Sequence, residues 1–346
     1  MDDTEEKRRA TVHDVARAAA VSLATVDRVL NGRPGVRRST AEKVEAAIAA
    51  LDFRRDLSAS LLARSRDLNV HFLIPDGANE FMENLGAAIR RRARMARTER
   101  LRVETTLLRA LDAAGLAAQI EALSRGTCDC AIVVATEDEA VSRAVDGATR
   151  RGIQIVTLVS DLPGSSRRHF VGIDNVAAGR TAAGLLGRFC PGGGKIGLVA
   201  GSLGLRDHAD RVAGFRAVMA AEFPKLQIVG PVEGHDADDE TESLTRELLG
   251  EPGLVGLYNI GAGNAGFVTA LQQSGKAGAL RVIAHELTGT TRNALGSGAI
   301  DVVLDQNPDA EIRAALAAAR ALVQHPGGRV EEHRVEIGIF LRDNLR

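Results

Sequence analysis

The sequence predicts two unlike parts: an all-α helix-turn-helix head, and an α/β body of two doubly wound parallel-sheet lobes. Three observations predict them. Helical periodicity with start and stop signals recurs three times between residues 11 and 55. From Asn69 onward, apolar runs of strand length alternate with helical stretches rich in Ala, Leu and Arg, which is the pattern of repeated βα units. Charge is also segregated. The chain has 346 residues and a formal net charge of -1, yet Lys7 to Arg66 holds 13 Lys and Arg against 6 Asp and Glu, a surplus of 7. Met1 to Glu6 adds four acids, so residues 67–346 carry a net -4. A basic head on a mildly acidic body suits contact with phosphates.

Residues 1–10 are charged and lack an apolar pattern, which predicts a flexible tail. Thr11 and Asp14 form a capping-box pattern that opens a first helix running to about Ala19, with Val12, Val15, Ala16 and Ala19 inward. Ala20-Val21 makes a tight turn. Ser22 then caps a second helix through its hydroxyl, because the first N–H groups of a helix have no internal partner. Asn31-Gly32 ends that helix, since both residues enter the left-handed region at low cost. Val26, Val29 and Leu30 fall on its inner side, and Leu23, Ala24, Asp27 and Arg28 face outward. Ser39 and Glu42 repeat the capping-box pattern and open a third helix, with Val44, Ala47, Ile48 and Leu51 on its buried face. A plain three-helix bundle has the same pattern. A short helix with a free outer face also has the size that enters a DNA major groove.

Thr11-Val-His-Asp-Val-Ala-Arg, Val21-Ser-Leu-Ala-Thr-Val and Arg28-Val-Leu-Asn-Gly are followed by Val36, Thr40, Val44, Ala47-Ile48 and Leu51-Asp52-Phe53. This series resembles the head of the lactose-repressor (LacI) family of bacterial transcription regulators. The resemblance implies a helix-turn-helix DNA-binding domain over 11–55. It places Leu23, Ala24 and Arg28 at base-reading positions, and Thr11, Ser22, Thr25, Asn31 and Thr40 against backbone phosphates. Those roles suit the residue types, because hydroxyls and amides donate to phosphate oxygens and arginine pairs bidentately with guanine. Two positions depart from the family pattern. Ala20 stands where the family has glycine, at a cost of about 1 kcal/mol if the backbone there is left-handed. Asp27 stands where the family has serine. A carboxylate there repels phosphate unless it accepts from a cytosine amino group or pairs with Arg28, and Arg37 and Arg38 offset its charge. Residues 56–66 resemble the family's hinge helix and linker, with Leu62 as the apolar wedge that opens the minor groove. A helix this short is marginal alone and suits ordering on DNA beside its twin. The family thus implies a homodimer on double-stranded, pseudo-palindromic operator DNA.

In the body, residues 67–346, the strand candidates are Val70–Ile74, Leu101–Leu108, Cys130–Ala135, Ile153–Val159 and Phe170–Ile173. A second series has Ile196–Ala200, Leu226–Val229, Leu254–Ile260, Arg281–Ala284, Ile300–Leu304 and Val335–Leu341. Two lobes built this way leave a cleft at the strand ends, where ligands of α/β folds bind. The segments Phe170-Val-Gly-Ile-Asp-Asn, Arg211-Val-Ala-Gly-Phe-Arg, Tyr258-Asn259 and Ile300-Asp-Val-Val-Leu-Asp-Gln-Asn resemble the periplasmic-binding-protein-like effector domain of the same family. By position, Asp207, Arg211, Asn259, His285, Glu286 and Gln306 of the second lobe, and Phe81 and Asp161 of the first, then line the cleft. Carboxylates, amides and an arginine around a concavity suit a polyhydroxylated effector, since each hydroxyl both donates and accepts. The resemblance implies a sugar, polyol or sugar acid as effector, and repression of transcription as the output.

Gly261-Ala-Gly-Asn-Ala-Gly266 competes with this reading. It is a formal G-x-G-x-x-G between a strand and a helix, with Glu286 twenty residues beyond its third glycine. It supports a second reading as a nucleotide (NAD-type) sensor or oxidoreductase, although such loops normally follow a domain's first strand. Pro191-Gly-Gly-Gly-Lys195 lacks the Ser or Thr that a P-loop needs. No G-x-S-x-G or His-Glu-x-x-His occurs, so no catalytic residues and no enzyme activity are expected. Three cysteines, Cys128, Cys130 and Cys190, do not make a disulfide framework, and no metal site or cofactor is expected. No apolar run reaches the ~20 residues of a membrane span. The charged N-terminus lacks a signal-peptide core, so the expected location is cytoplasmic. A purely ligand-sequestering binding protein is disfavoured by the head.

Overall fold

In a computed structural model the chain divides into two compact units, Met1–Arg66 and Asp67–Arg346. The structure describes residues 12–30, 35–51, 67–77, 79–96, 99–325, 328, 330 and 335–345. The tail 1–10 and the hinge segment 56–66 lie outside the described residues, as do Thr11, Asn31 and Leu62.

The head consists of α1 (Val12–Ala18), α2 (Leu23–Leu30) and α3 (Arg38–Ala50). Val15, Ala16, Ala19, Val26, Val44 and Ala47 form its core, with Val21, Val29, Leu30 and Ile48 packed against them. The turn between α1 and α2 requires a left-handed residue, and Ala20 supplies it at φ 54. The alanine's steric cost is therefore real, and the packing of Ala19 and Val21 on either side must offset it. Ser22 caps α2 as its hydroxyl chemistry predicts: its Oγ accepts from Thr25 N at 3.2 Å and lies 2.9 Å from Thr25 Oγ1. The start of α3 differs from expectation. The helix begins at Arg38, with Arg37 as an N-cap that makes no side-chain bond, and Glu42 pairs with Arg38 at 3.0 Å instead of reaching back to Ser39. An arginine one turn away outcompetes a backbone N–H for that carboxylate. Leu51 is not part of the buried face; it is 37% exposed.

The body has two lobes. The first holds β1 (Leu68–Pro75), α4 (Glu80–Ala96), β2 (Leu101–Leu108), α5 (Ala113–Ala122), β3 (Cys130–Val133), α6 (Glu139–Arg150), β4 (Gln154–Leu158) and β5 (His169–Val171). Its sheet runs β2-β1-β3-β4-β5, parallel throughout. The second holds α7 (Asn175–Phe189), β6 (Gly194–Ala200), α8 (Arg206–Glu222), β7 (Leu226–Glu233), α9 (Asp238–Leu249), β8 (Leu254–Asn259), α10 (Asn264–Gln273), β9 (Arg281–His285), α11 (Gly289–Ser297), β10 (Val302–Asp305) and β11 (Gly338–Phe340). Its sheet runs β11-β10-β9-β8-β6-β7. Central strands covered on both faces read as unbroken apolar runs, and β3 is buried at all four residues. All three cysteines are buried free thiols, and burial pushes the Cys128 thiol up to about 12, well away from reactivity.

The sheets are not wholly parallel as the sequence predicts: β11 pairs antiparallel with β10. Between them lies α12 (Pro308–Gln324), which leaves the second lobe and packs Ile312, Ala315, Leu316, Ala319 and Leu322 into the core of the first. A helix that packs on the other lobe does not impose the parallel return of a βαβ unit. The chain thus crosses between lobes at Gly172–Asp174, again at Gln306-Asn307, and a third time beyond α12. Asn307 turns the second crossing at φ 54 and caps α12 through Ala310 N. Among the described residues, no helix is long and apolar enough to cross a membrane.

Candidate functional site

The head presents one exposed polar face. Leu23, Ala24, Asp27 and Arg28 of α2 are all exposed, with Leu23 at 42%. Thr25 is half-buried and held by Ser22, and Thr40 is half-buried in the first turn of α3 beside exposed Arg37 and Arg38. The inward set of α2 and its capped start orient this face. Asp27 shares it with Arg28, so an acid and a base stand side by side on this face.

In the body, a cleft opens between the lobes at the C-terminal ends of the strands. The two walls differ in chemistry. The first lobe offers mainly carbon: Pro75, Phe81, Met82, Leu111, Val134 and Val159, with Asn79, Thr136 and Ser160 among them. The second lobe offers charge and hydrogen bonds. Asp207, His208 and Arg211 come from the start of α8, His235 and Asp236 from the loop after β7, Gly261 and Ala262 from the loop after β8, Glu286 from the end of β9 and Gln306 from the end of β10. Hydrogen bonds already hold the lobes together at the rim: Arg206 N donates to Ser160 Oγ at 3.1 Å, Glu137 N to Gly204 O at 3.2 Å and Thr290 N to Glu80 Oε2 at 3.3 Å.

Arg211 organises the floor. It is buried at 2% exposure. Its Nε donates to Asn175 Oδ1 and its Nη1 to Ile260 O, both at 2.8 Å, while Nη2 lies 3.5 Å from Glu286 Oε1. Glu286 is fixed in turn by Gln306, which donates its backbone N–H to Oε2 at 3.0 Å and its Nε2 to Oε1 at 2.9 Å. His208 accepts from Ser202 N at 3.1 Å through Nδ1, leaving its Nε2 3.7 Å from Asp207. Three buried polar atoms of the cleft residues have no hydrogen-bond partner among the described residues: Asp207 Oδ1, Arg211 Nη2 and Gln306 Oε1. Buried polar atoms are rarely left unmatched, so two acceptors, and an arginine nitrogen engaged only by its ion pair with Glu286, stand ready at one wall for a hydrogen-bonding ligand.

Of the residues singled out from the sequence, Phe81, Asp207, Arg211, Glu286 and Gln306 line the cleft. Asp161, Asn259 and His285 do not. Asp161 turns away and is consumed by Arg167, with both guanidinium bonds at 2.5 Å, and by Thr157 Oγ1 and Leu162 N. Val159, left-handed at φ 65, turns the chain so that Ser160 faces the cleft in its place. Asn259 lies behind the wall and ties the glycine loop, donating to Asn264 Oδ1 at 2.9 Å and Ala262 O at 3.2 Å. His285 is fully buried and meets Tyr258 Oη at 2.8 Å, with Tyr258 stacked on Phe215. Burial, then the Arg211 charge, holds its imidazole well below the usual range and so neutral. Sequence reasoning missed His208, His235, Asp236 and Ser160. Their one signal was position after a strand end, which many polar residues share.

The glycine loop is a packing device. Ala262 N donates to Asp236 Oδ1 at 2.8 Å, and Ala265 N and Gly266 N donate to Asp238 Oδ1 at 3.1 and 3.3 Å. Carboxylates therefore hold the N–H groups that a pyrophosphate needs. A Cβ at Gly266 would collide with the Asp238 carbonyl oxygen, so this glycine lets α10 approach α9.

One unit is thus a three-helix head with a capped α2, and the other a two-lobed body with a polar cleft. Residues 11–56 match the family of lacI bacterial regulatory proteins, and residues 70–328 match the periplasmic binding protein domain. The chain belongs to the periplasmic binding protein domain family, and its head is a domain of the lacI family of bacterial regulatory proteins. It is 44% identical over 79 residues to catabolite control protein A of Priestia megaterium, covering 23% of this chain and 24% of that protein. It is 39% identical over 83 residues to the HTH-type transcriptional regulator pepR1 of Lactobacillus delbrueckii subsp. lactis, covering 24% and 25%. These matches span about a quarter of the length of the curated relatives. The body superimposes on an ABC transporter solute binding protein of Burkholderia graminis C4D1M in complex with D-arabinose. That match has a TM-score of 0.74 and 21% identity, over 81% of this chain and 97% of that one. A glucose-galactose binding protein of Geobacillus stearothermophilus gives a TM-score of 0.72 and 19% identity, over 81% and 99%. At these identities the likeness is one of fold.

Proposed function

We propose that this lacI-family, DNA-binding transcription regulator is a cytoplasmic, homodimeric repressor whose operator affinity is set by a neutral sugar or polyol bound in the interlobe cleft. The carrying observation is the set of unmatched buried atoms, Asp207 Oδ1, Arg211 Nη2 and Gln306 Oε1, facing an apolar wall that includes Phe81. A sugar ring has hydroxyls on its edge and C–H groups on its faces, and the two walls divide in the same way. The excess of acids favours a neutral polyol over a sugar acid, because Asp207, Asp236 and Glu286 line the cleft against the one arginine. The solved binding proteins of the same fold, one with D-arabinose and another with bound D-allose, support this ligand class.

Differential scanning of the full chain with D-arabinose, D-allose, D-galactose, a polyol panel and D-glucuronate tests the reading. A true effector at a hundred times its Kd stabilises the body by about 2.7 kcal/mol, which raises Tm by about 5 °C for a body of this size. A shift with D-glucuronate and none with any neutral compound overturns the proposed ligand class. At the head, Arg28→Ala is expected to weaken specific operator binding by about 1–3 kcal/mol. Gel shift against a specific and a scrambled duplex measures it, and an unchanged ratio removes Arg28 from base reading.

A further inference from the structure

The cleft rests on more acid than its arginine neutralises. Glu286, just after β9, and half-buried Asp305, at the end of β10, stand at neighbouring positions of paired strands, and Gln306 N, beside Asp305, donates to Glu286 Oε2 at 3.0 Å. Asp305 also accepts Leu287 N through Oδ1 and Asn307 N through Oδ2, both at 3.1 Å. Glu311, in the first turn of α12, is fully enclosed, and neither of its carboxylate oxygens has a hydrogen-bond partner among the described residues. From α8 the cluster faces Asp207, His208 and Arg211, and from β9 it faces His285. β11, which pairs with β10 at Asp305, brings no titratable side chain in Gly338–Phe340. The cluster thus holds four carboxyl groups and one guanidinium, and of the four acids Glu286 alone pairs with Arg211.

Each carboxyl is held by a backbone N–H next to the other acid, Leu287 N on Asp305 and Gln306 N on Glu286, and two carboxyl groups kept this close repel unless a proton lies between them. We propose that Glu286 and Asp305 share one proton, and that this proton makes the organisation of the effector cleft dependent on pH. Its loss sets two carboxylates against each other at Asp305–Asn307, where the chain crosses between lobes and where Gln306 holds Glu286 in the cleft. The inference rests on the reading of the cleft as the effector site. Burial, reinforced by Glu286, pushes Asp305 up to about 7. Burial also raises Glu286, against the opposing Arg211 charge, and lifts Glu311 well above the usual carboxylate range. The folded protein therefore keeps a proton on Asp305 that the unfolded chain releases near pH 4. Stability from this group falls as pH rises through that window, and the loss is complete once pH passes about 7.

The chain has no Trp and one Tyr, so Tyr258 fluorescence reports unfolding of the second lobe without a label. Urea unfolding of the full chain is measured from pH 5 to 8 for the wild type and for Asp305→Asn. The ratio of wild-type to variant folding constants is expected to fall about ten-fold per pH unit up to about 7 and then level off. Asparagine loses one backbone acceptor, which shifts the variant uniformly and leaves the slope diagnostic. If Asp305→Asn does not fold, Glu286→Gln carries the same test. Parallel pH profiles for wild type and variant overturn the proposal. The slope is read without effector, so a failure of carbohydrate binding would overturn the reading of the cleft and leave the shared proton standing.

Discussion

Arg211→Met is expected to cost about 3–5 kcal/mol of body stability and to abolish any sugar-induced rise in Tm. Methionine fills much of the same volume, so the loss is chiefly electrostatic. It removes the donors to Asn175 Oδ1 and Ile260 O and leaves buried Glu286 without its cationic partner. Asn175 opens α7, just after the first crossing between lobes, so the loss also loosens that junction. Tyr258 fluorescence in urea and scanning calorimetry with the identified sugar measure the two effects. A loss below about 1 kcal/mol would mean that the neighbouring acids are already protonated and need no arginine. Arg211→Lys is expected to recover part of the stability and little of the sugar response, because an ammonium cannot reproduce the fixed fork.

Gly214→Val is expected to cost about 3 kcal/mol or more. α7 and α8 cross at a pair of glycines: a Cβ at Gly179 would collide with the Arg211 carbonyl oxygen, and a Cβ at Gly214 with that of Val176. The obstacle in both cases is backbone, which cannot rotate out of the way as a side chain can. Separating the helices would also move Arg211, so affinity in the cleft should fall along with stability. Gly296→Ala, in α11 with nothing near its would-be Cβ, is the matched control and should be neutral or stabilising by about 0.5–1 kcal/mol. Equal midpoints for Gly214→Val and wild type would show that the two helices do not depend on this close crossing.

Much of the fold was legible because its signals are local. Ser22 caps α2, Val26 and Val44 are buried, and each of the predicted strands corresponds to an observed one within a few residues. Phe81, Asp207, Arg211, Glu286 and Gln306 were recoverable because they sit at or just after strand ends or at helix starts, where α/β clefts form. Two of the lost residues, His285 and Asp161, lie next to residues that line the cleft. His285 precedes Glu286 and Asp161 follows Ser160, and in each pair only one side chain faces the cleft. Which one does so depends on Tyr258 behind His285 and on Arg167 beside Asp161, and neither pairing is visible in spacing alone.

The sequence by itself determined the two-part organisation, the capped α2 with its outward Leu23, Ala24, Asp27 and Arg28, and the βα order of the body. Capping, periodicity and turn chemistry act over a few residues and are written in the order of the chain. Only the tertiary structure decided the state of the acids. Asp305 and Glu286 meet from adjacent strands, and Glu311 is buried because α12 leaves its own lobe to pack on the other. A carboxyl group's charge depends on what surrounds it in a low-dielectric interior. Those surroundings come from Asp207 and Arg211, far away along the chain and close only after folding.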